Sequence, residues 1–222
     1  MTQARAVIFD MDGVVVDSEP RHERAFLDVV TELGYGESHG VQFAKYVGRT
    51  DRELWVDFVN RHKPAQTLEA LLAMKRERVL EILRKDQPLF DGLPELVERL
   101  AGKYRLAIAS GSESLVVDAV LRFKGLRRFF STVTTSSEVE HGKPAPDIFL
   151  RASQLLGVDP RECWVIEDSK PGVAAGLAAG MRVIAITNTH PAEELANATK
   201  VVGNYEEIGK ILLTGSTSST SP

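Results

Sequence analysis

The chain has 222 residues, 43% of them hydrophobic and 26% charged, with 27 Lys and Arg against 31 Asp and Glu for a formal net charge of −4. That composition is ordinary for a globular protein, and the length suits one domain or a core with a modest second domain. The acidic balance, with no basic run unbroken by acids, argues against a nucleic-acid partner; the lone Cys163 excludes an intrachain disulfide; and no stretch approaches the roughly 18 apolar residues of a membrane span.

The first element is the apolar run Val7, Ile8, Phe9, which reads as a buried strand. It ends in two carboxylates, Asp10 and Asp12, with Gly13 directly after. From Glu19 to Lys85 only helical pattern follows, in stretches 21–34, 51–62 and 68–85, so this part reads as an all-helical insertion after the first strand. Next comes a helix over 93–102, apolar at Leu93, Leu96, Val97 and Leu100 and stopped by Gly102. "RLAIAS" (105–110) is the second strand, and Ser112 is the expected N-cap of the helix after it. "STVTTS" (131–136) is polar but β-branched, which suits a sheet edge. A helix over 145–157 carries a proline in its first turn and stops at Gly157. "CWVIED" (163–168) is another apolar strand, with Cys163 as a buried thiol. "KPGVAAGLAAG" (170–180) is rich in small residues for close packing on a sheet, and "MRVIAIT" (181–187) is the last expected strand.

Alternating strand and helix predicts an α/β fold, a Rossmann-like doubly wound parallel sheet. The expected division is a core of residues 1–15 and 86–213, a helical insertion of residues 16–85, and a low-complexity disordered tail, 214–222.

In such a sheet ligands bind at the carboxyl ends of the strands. Asp10 and Asp12 follow strand one, Glu167 and Asp168 end "WVIED", and Ser110 ends "LAIAS". Four acids on one rim would repel one another unless a hard cation sat among them, and all-oxygen ligands suit Mg²⁺, which characteristically accompanies a phosphate substrate. Lys143, between a glycine and a proline, can neutralise an aspartate and a phosphoryl oxygen together.

"FDMDGVVVDSE", "ASGS", "GKPAPDIF" and "IEDSKPGVAAGLAAGM" resemble, in order, the four motifs of the haloacid dehalogenase (HAD) superfamily of phosphotransferases. The helical insertion resembles the C1-type cap of its β-phosphoglucomutase and phosphoglycolate phosphatase branch. The resemblance implies roles. Asp10 would be the nucleophile that forms an aspartyl-phosphate, and Asp12 the general acid and base. Ser110 would bond the transferring phosphoryl group, with Gly111 beside it in the substrate loop, and Lys143 would neutralise charge. Mg²⁺ would be held by Asp10, the Asp12 backbone carbonyl and Asp168, with Glu167 adjacent. The dehalogenases of the superfamily lack the second aspartate, so dehalogenation is not expected.

The turn from Gly48 to Asp51 resembles the cap's specificity loop, which makes Arg49 and Arg52 candidates for a second anionic group on the substrate; a solvated helix start capped by Thr50 is the plainer alternative. Glu19 and His22, early in the first helix of the insertion, are further substrate-binding candidates, although a helix-surface residue is the plainer reading of His22. Asp51 falls where the mutases carry an arginine. The expected function is a Mg²⁺-dependent phosphatase acting on a small phosphorylated metabolite such as a sugar phosphate. The alternatives are a β-phosphoglucomutase-type hexose phosphate mutase and a non-enzymatic regulatory module, against which the intact Asp10, Asp12, Lys143 and Asp168 set speaks. A cytoplasmic monomer without nucleic-acid or membrane partners is expected.

Overall fold

The computed structural model describes residues 4–46 and 51–214. It divides into two compact units, one drawn from the segments up to Asp17 and from Pro88 onward, the other being Ser18–Gln87.

The first unit is built on a six-stranded parallel sheet: β1 (Ala6–Phe9), β2 (Arg105–Ser110), β3 (Phe130–Thr135), β4 (Cys163–Glu167), β5 (Arg182–Ile186) and β6 (Lys200–Val202), in spatial order β3-β2-β1-β4-β5-β6. Its α-helices are α4 (Leu93–Ala101), α5 (Ser114–Arg122), α6 (Asp147–Leu156), α7 (Lys170–Ala178) and α8 (Tyr205–Thr214). Side chains alternate along a strand, so each strand loads both faces. Ile8, Ala107, Val165 and Val183 pack with Phe149 and Ala152 of α6 and Val173 and Ala175 of α7. The alternate residues Val7, Phe9, Leu106 and Ile108 are equally inaccessible, which requires cover on the other face; there α4 packs on β2 and against α8. Burying each such side chain contributes roughly 1.5–3 kcal/mol.

β1 pairs in parallel with β2 on one side and β4 on the other, with Phe9 opposite Ile108 and Ile166. The polar β-branched strand β3 lies at one edge, as its composition predicts. The other edge, β6, was not legible because three residues are too few to show a period, and α8, with Tyr205, Ile208 and Leu212 buried at helical spacing, was not singled out. Ser112 is not the N-cap of α5; that position belongs to Glu113, and the Ser112 hydroxyl is used elsewhere.

The second unit is α1 (Glu19–Glu32), α2 (Asp51–His62) and α3 (Leu68–Asp86). Phe26, Val29 and Val30 of α1 and Leu54, Trp55 and Phe58 of α2 recur at helical spacing and form one core with Leu71 of α3. The Phe26 and Trp55 rings lie 4.7 Å apart. Thr67 caps α3 by accepting the Ala70 N–H at 3.2 Å. Among the described residues no helix is long and apolar enough to cross a membrane. The C-terminal residues 215–222 lie outside the described part.

Candidate active site

Parallel strands deliver their carboxyl ends to one rim. Asp10 is the residue after β1, and its N–H donates to the Ile166 carbonyl of β4 at 2.9 Å, so Asp10 is set beside Glu167 and Asp168. All three acids are buried, and oxygens from Asp10, Glu167 and Asp168 lie within 4.8 Å of one another. Lys143, reaching in from the loop before α6, donates at 2.6 Å to Asp10 Oδ1 and at 2.6 Å to Glu167 Oε1.

The carboxylates differ in what occupies them. Glu167 accepts Lys143 on one oxygen, and on the other the Asp168 N–H (2.8 Å), the Ser169 N–H (2.9 Å) and the Ser169 hydroxyl (2.9 Å). Four protein donors leave it as a bracket for Lys143 and for the start of α7. Glu167 stays in the acidic cluster in which the sequence placed it, with Oε2 given to the chain and Oε1 shared with Lys143. Asp168 accepts the Thr189 hydroxyl. Gly13 approaches so closely that a Cβ there would collide with the Asp168 carboxylate, and its φ of +76° already excludes most side chains.

Charge is out of balance here. Burial raises Asp10 well above the usual carboxylate range; Lys143 opposes this, and Glu167, Asp168 and Asp12 add to it. Burial and then Glu167 push Asp168 up to about 7, against Thr189 and Lys143. Burial would lower the Lys143 ammonium, but Asp10 and Glu167 outweigh it and hold Lys143 above its ordinary value. One cation cannot neutralise this cluster. An all-oxygen donor set of buried acids at this spacing fits a hard divalent cation, with Asp10 and Asp168 the residues that would hold it.

Asp12 points along the rim to β2. Its Oδ2 accepts the Ser112 hydroxyl at 2.6 Å and lies 3.5 Å from the Ser110 hydroxyl, while Ser110 Oγ accepts the Ser112 N–H at 3.0 Å. The expected metal contact of Asp12 is its backbone carbonyl, which leaves this carboxylate to the serines. Gly111 spans the two serines with open space where a Cβ would stand. The turn after Asp12 is tied down from β5 and α8: Asn188 donates to the Gly13 carbonyl at 2.7 Å, and the Tyr205 hydroxyl donates to the Val14 carbonyl at 2.6 Å. Asn188 and Thr189 were not singled out in the sequence, and Ser112 only as a helix cap. The signal was present: "SGS" and "TNT" both stand at strand carboxyl ends.

The remaining candidates belong to the helical unit. Arg49 lies outside the described residues. Arg52 is exposed and donates to Glu69 at 2.7 Å, an ordinary surface pair. Glu19 is exposed in the first turn of α1. His22 is half-buried, with Nδ1 3.3 Å from Lys75 Nζ and 3.9 Å from Asp51. Lys75, which the sequence did not flag, is 3% exposed and bonds Asp51. Burial lowers its ammonium and Asp51 opposes that.

A family model described as haloacid dehalogenase-like hydrolase matches residues 4–180. The fructose-1-phosphate phosphatase YqaB of Escherichia coli is 34% identical over 180 residues, 80% of this chain and 94% of that protein. Hexitol phosphatase B of the same organism is 33% identical over 206 residues, 90% of this chain and 89% of that one. Among solved structures, a candidate β-phosphoglucomutase from Thermotoga maritima superposes with a TM-score of 0.78 at 29% identity, covering 95% of this chain and 99% of that one.

Proposed function

The chain belongs to the haloacid dehalogenase-like hydrolases, and from that premise we propose that this phosphatase hydrolyses a small phosphorylated sugar through an aspartyl-phosphate on Asp10, with Mg²⁺ as cofactor. The observation that carries the reading is Lys143 Nζ set 2.6 Å from Asp10 Oδ1 while Asp168 shares the same acidic cluster and Asp12 stands two residues on. The named relatives that act on fructose 1-phosphate and hexitol phosphates support a sugar phosphate as substrate.

The chain's own groups divide the work. Asp10 attacks phosphorus, and the ester oxygen leaves as an alcohol with a proton from Asp12. Water then attacks the acyl phosphate, Asp12 takes its proton, and Asp10 and inorganic phosphate are regenerated. The Ser110 hydroxyl and Lys143 ammonium hold phosphoryl oxygens, and Lys143 keeps Asp10 oriented by its second anchor on Glu167. Mg²⁺, when bound, supplies charge neutralisation for the phosphoryl group. The helical unit is the C1-type cap in this reading and selects the substrate.

The test is phosphate release from a panel of sugar and polyol phosphates, with and without Mg²⁺, together with intact-mass detection of a phosphoryl adduct that Asp10→Asn cannot form. No release from any ester would sink the reading. The Thermotoga neighbour favours one second reading, a hexose phosphate mutase. Incubation with β-glucose 1-phosphate and a bisphosphate primer separates them: glucose 6-phosphate marks the mutase, free phosphate the phosphatase.

A further inference from the structure

We propose that Ser112 is a positioning residue that holds the Asp12 carboxylate in place for proton transfer and leaves the Ser110 hydroxyl available to the phosphoryl group; this rests on the phosphatase reading above. The Ser112 hydroxyl donates to Asp12 Oδ2 at 2.6 Å, a short bond to a carboxylate, whereas the Ser110 hydroxyl stands 3.5 Å from the same oxygen, the outer limit of a bond. Ser110 Oγ also accepts the Ser112 backbone N–H at 3.0 Å. The two serines therefore do different things. Ser112 makes the short bond to Asp12 Oδ2 from its side chain and anchors Ser110 Oγ from its backbone, so Asp12 holds the Ser110 hydroxyl only by the long 3.5 Å contact. Without the Ser112 hydroxyl, the Ser110 hydroxyl stands beside that oxygen at 3.5 Å, and one hydroxyl would be shared between the acid and the phosphoryl oxygen. The carboxylate itself would lose a short bond that helps to fix its rotamer.

The consequence falls on proton transfer. Departure of a sugar alkoxide needs a proton from Asp12, and activation of water needs Asp12 to take one; departure of p-nitrophenolate needs no proton. The full chain with Mg²⁺ is assayed as wild type, Ser112→Ala, Ser112→Thr and Asp12→Asn, on p-nitrophenyl phosphate and on the best hexose phosphate of the panel. Ser112→Ala should lower kcat on the hexose phosphate about 10- to 100-fold, the loss of one hydrogen bond to a charged group, with KM within about twofold. Its p-nitrophenol burst should keep close to the wild-type rate while the steady state slows. Ser112→Thr, which keeps the hydroxyl, should recover most of the turnover. The proposal is overturned if Ser112→Ala turns over the hexose phosphate like wild type, if the burst falls as much as the steady state, or if Ser112→Thr is as impaired as Ser112→Ala. Asp12→Asn separates the two levels: if it is slow and Ser112→Ala is not, only the role of Ser112 fails. If Asp12→Asn is as active as the parent, the reading beneath it fails as well.

Discussion

Lys143 Nζ lies 2.6 Å from Glu167 Oε1, and the Glu167 side chain that receives it is fully buried. The other Glu167 oxygen takes three donors at the β4–α7 junction. One carboxylate thus ties the charge of the rim to the start of a helix.

Glu167→Gln should therefore cost stability as well as turnover. An amide that keeps its oxygen toward the Asp168 and Ser169 donors turns its NH₂ against the Lys143 ammonium. Breaking a buried ion pair from one side costs about 3–5 kcal/mol, and the lower end applies because Lys143 retains Asp10. Urea unfolding measures it; a loss under about 1 kcal/mol would show that Glu167 brackets nothing.

Gly172 shares that junction. A Cβ there would collide with the Glu167 carboxylate, whereas at Gly203 it meets nothing within 4 Å. Gly172→Ala should destabilise by about 1–3 kcal/mol, as overpacking does, and lower phosphate release by displacing Glu167. Gly203→Ala should change stability by under about 0.5 kcal/mol. Equal midpoints for the two variants would refute the contact.

Asp12→Asn keeps the backbone carbonyl and the shape of the side chain but removes the proton shuttle. Turnover on a hexose phosphate should fall roughly 10²–10⁴-fold, the usual worth of general acid–base catalysis. An activated aryl ester should still give one fast turnover followed by a slow phase. Rapid-mixing kinetics with p-nitrophenyl phosphate show this directly.

The acidic cluster gives a pH dependence with a definite sign. Burial and Glu167 raise Asp168 to about 7 from an ordinary value of 3.8. A raised acid favours the folded state while it is protonated, so its contribution is present below the ordinary carboxylate pKa and lost as pH rises through about 7. Mg²⁺ binds the carboxylate form, so the cation should raise Tm more at pH 8 than at pH 6. Thermal melts with Mg²⁺ and with chelator at both pH values check this, and an increment that shrinks with rising pH would contradict it.

Cys163 should be inert in the folded protein. Burial, then Asp159 and Glu162, push its thiol up to about 12. A thiol reagent should find no reactive group in native protein and one after unfolding, since the chain holds a single cysteine.

Much of the molecule was decided locally. The apolar strands β1, β2, β4 and β5 show themselves as continuous runs because both faces of the sheet are buried, and the three helices of the second unit show a period near 3.6 because each must bury one face. Acids and hydroxyls at strand carboxyl ends pointed to a rim, because parallel strands all end on the same side. What local pattern could not decide was pairing across the chain. That Glu167 is filled by Lys143 and by its own helix, that Ser112 serves Asp12 and does not cap α5, and that Asn188 and Tyr205 grip the turn after Asp12 depend on contacts between residues up to 191 positions apart. A hydroxyl or a carboxylate has the same chemistry at every position in a sequence; which partner satisfies it is set only when the sheet brings the strand ends together.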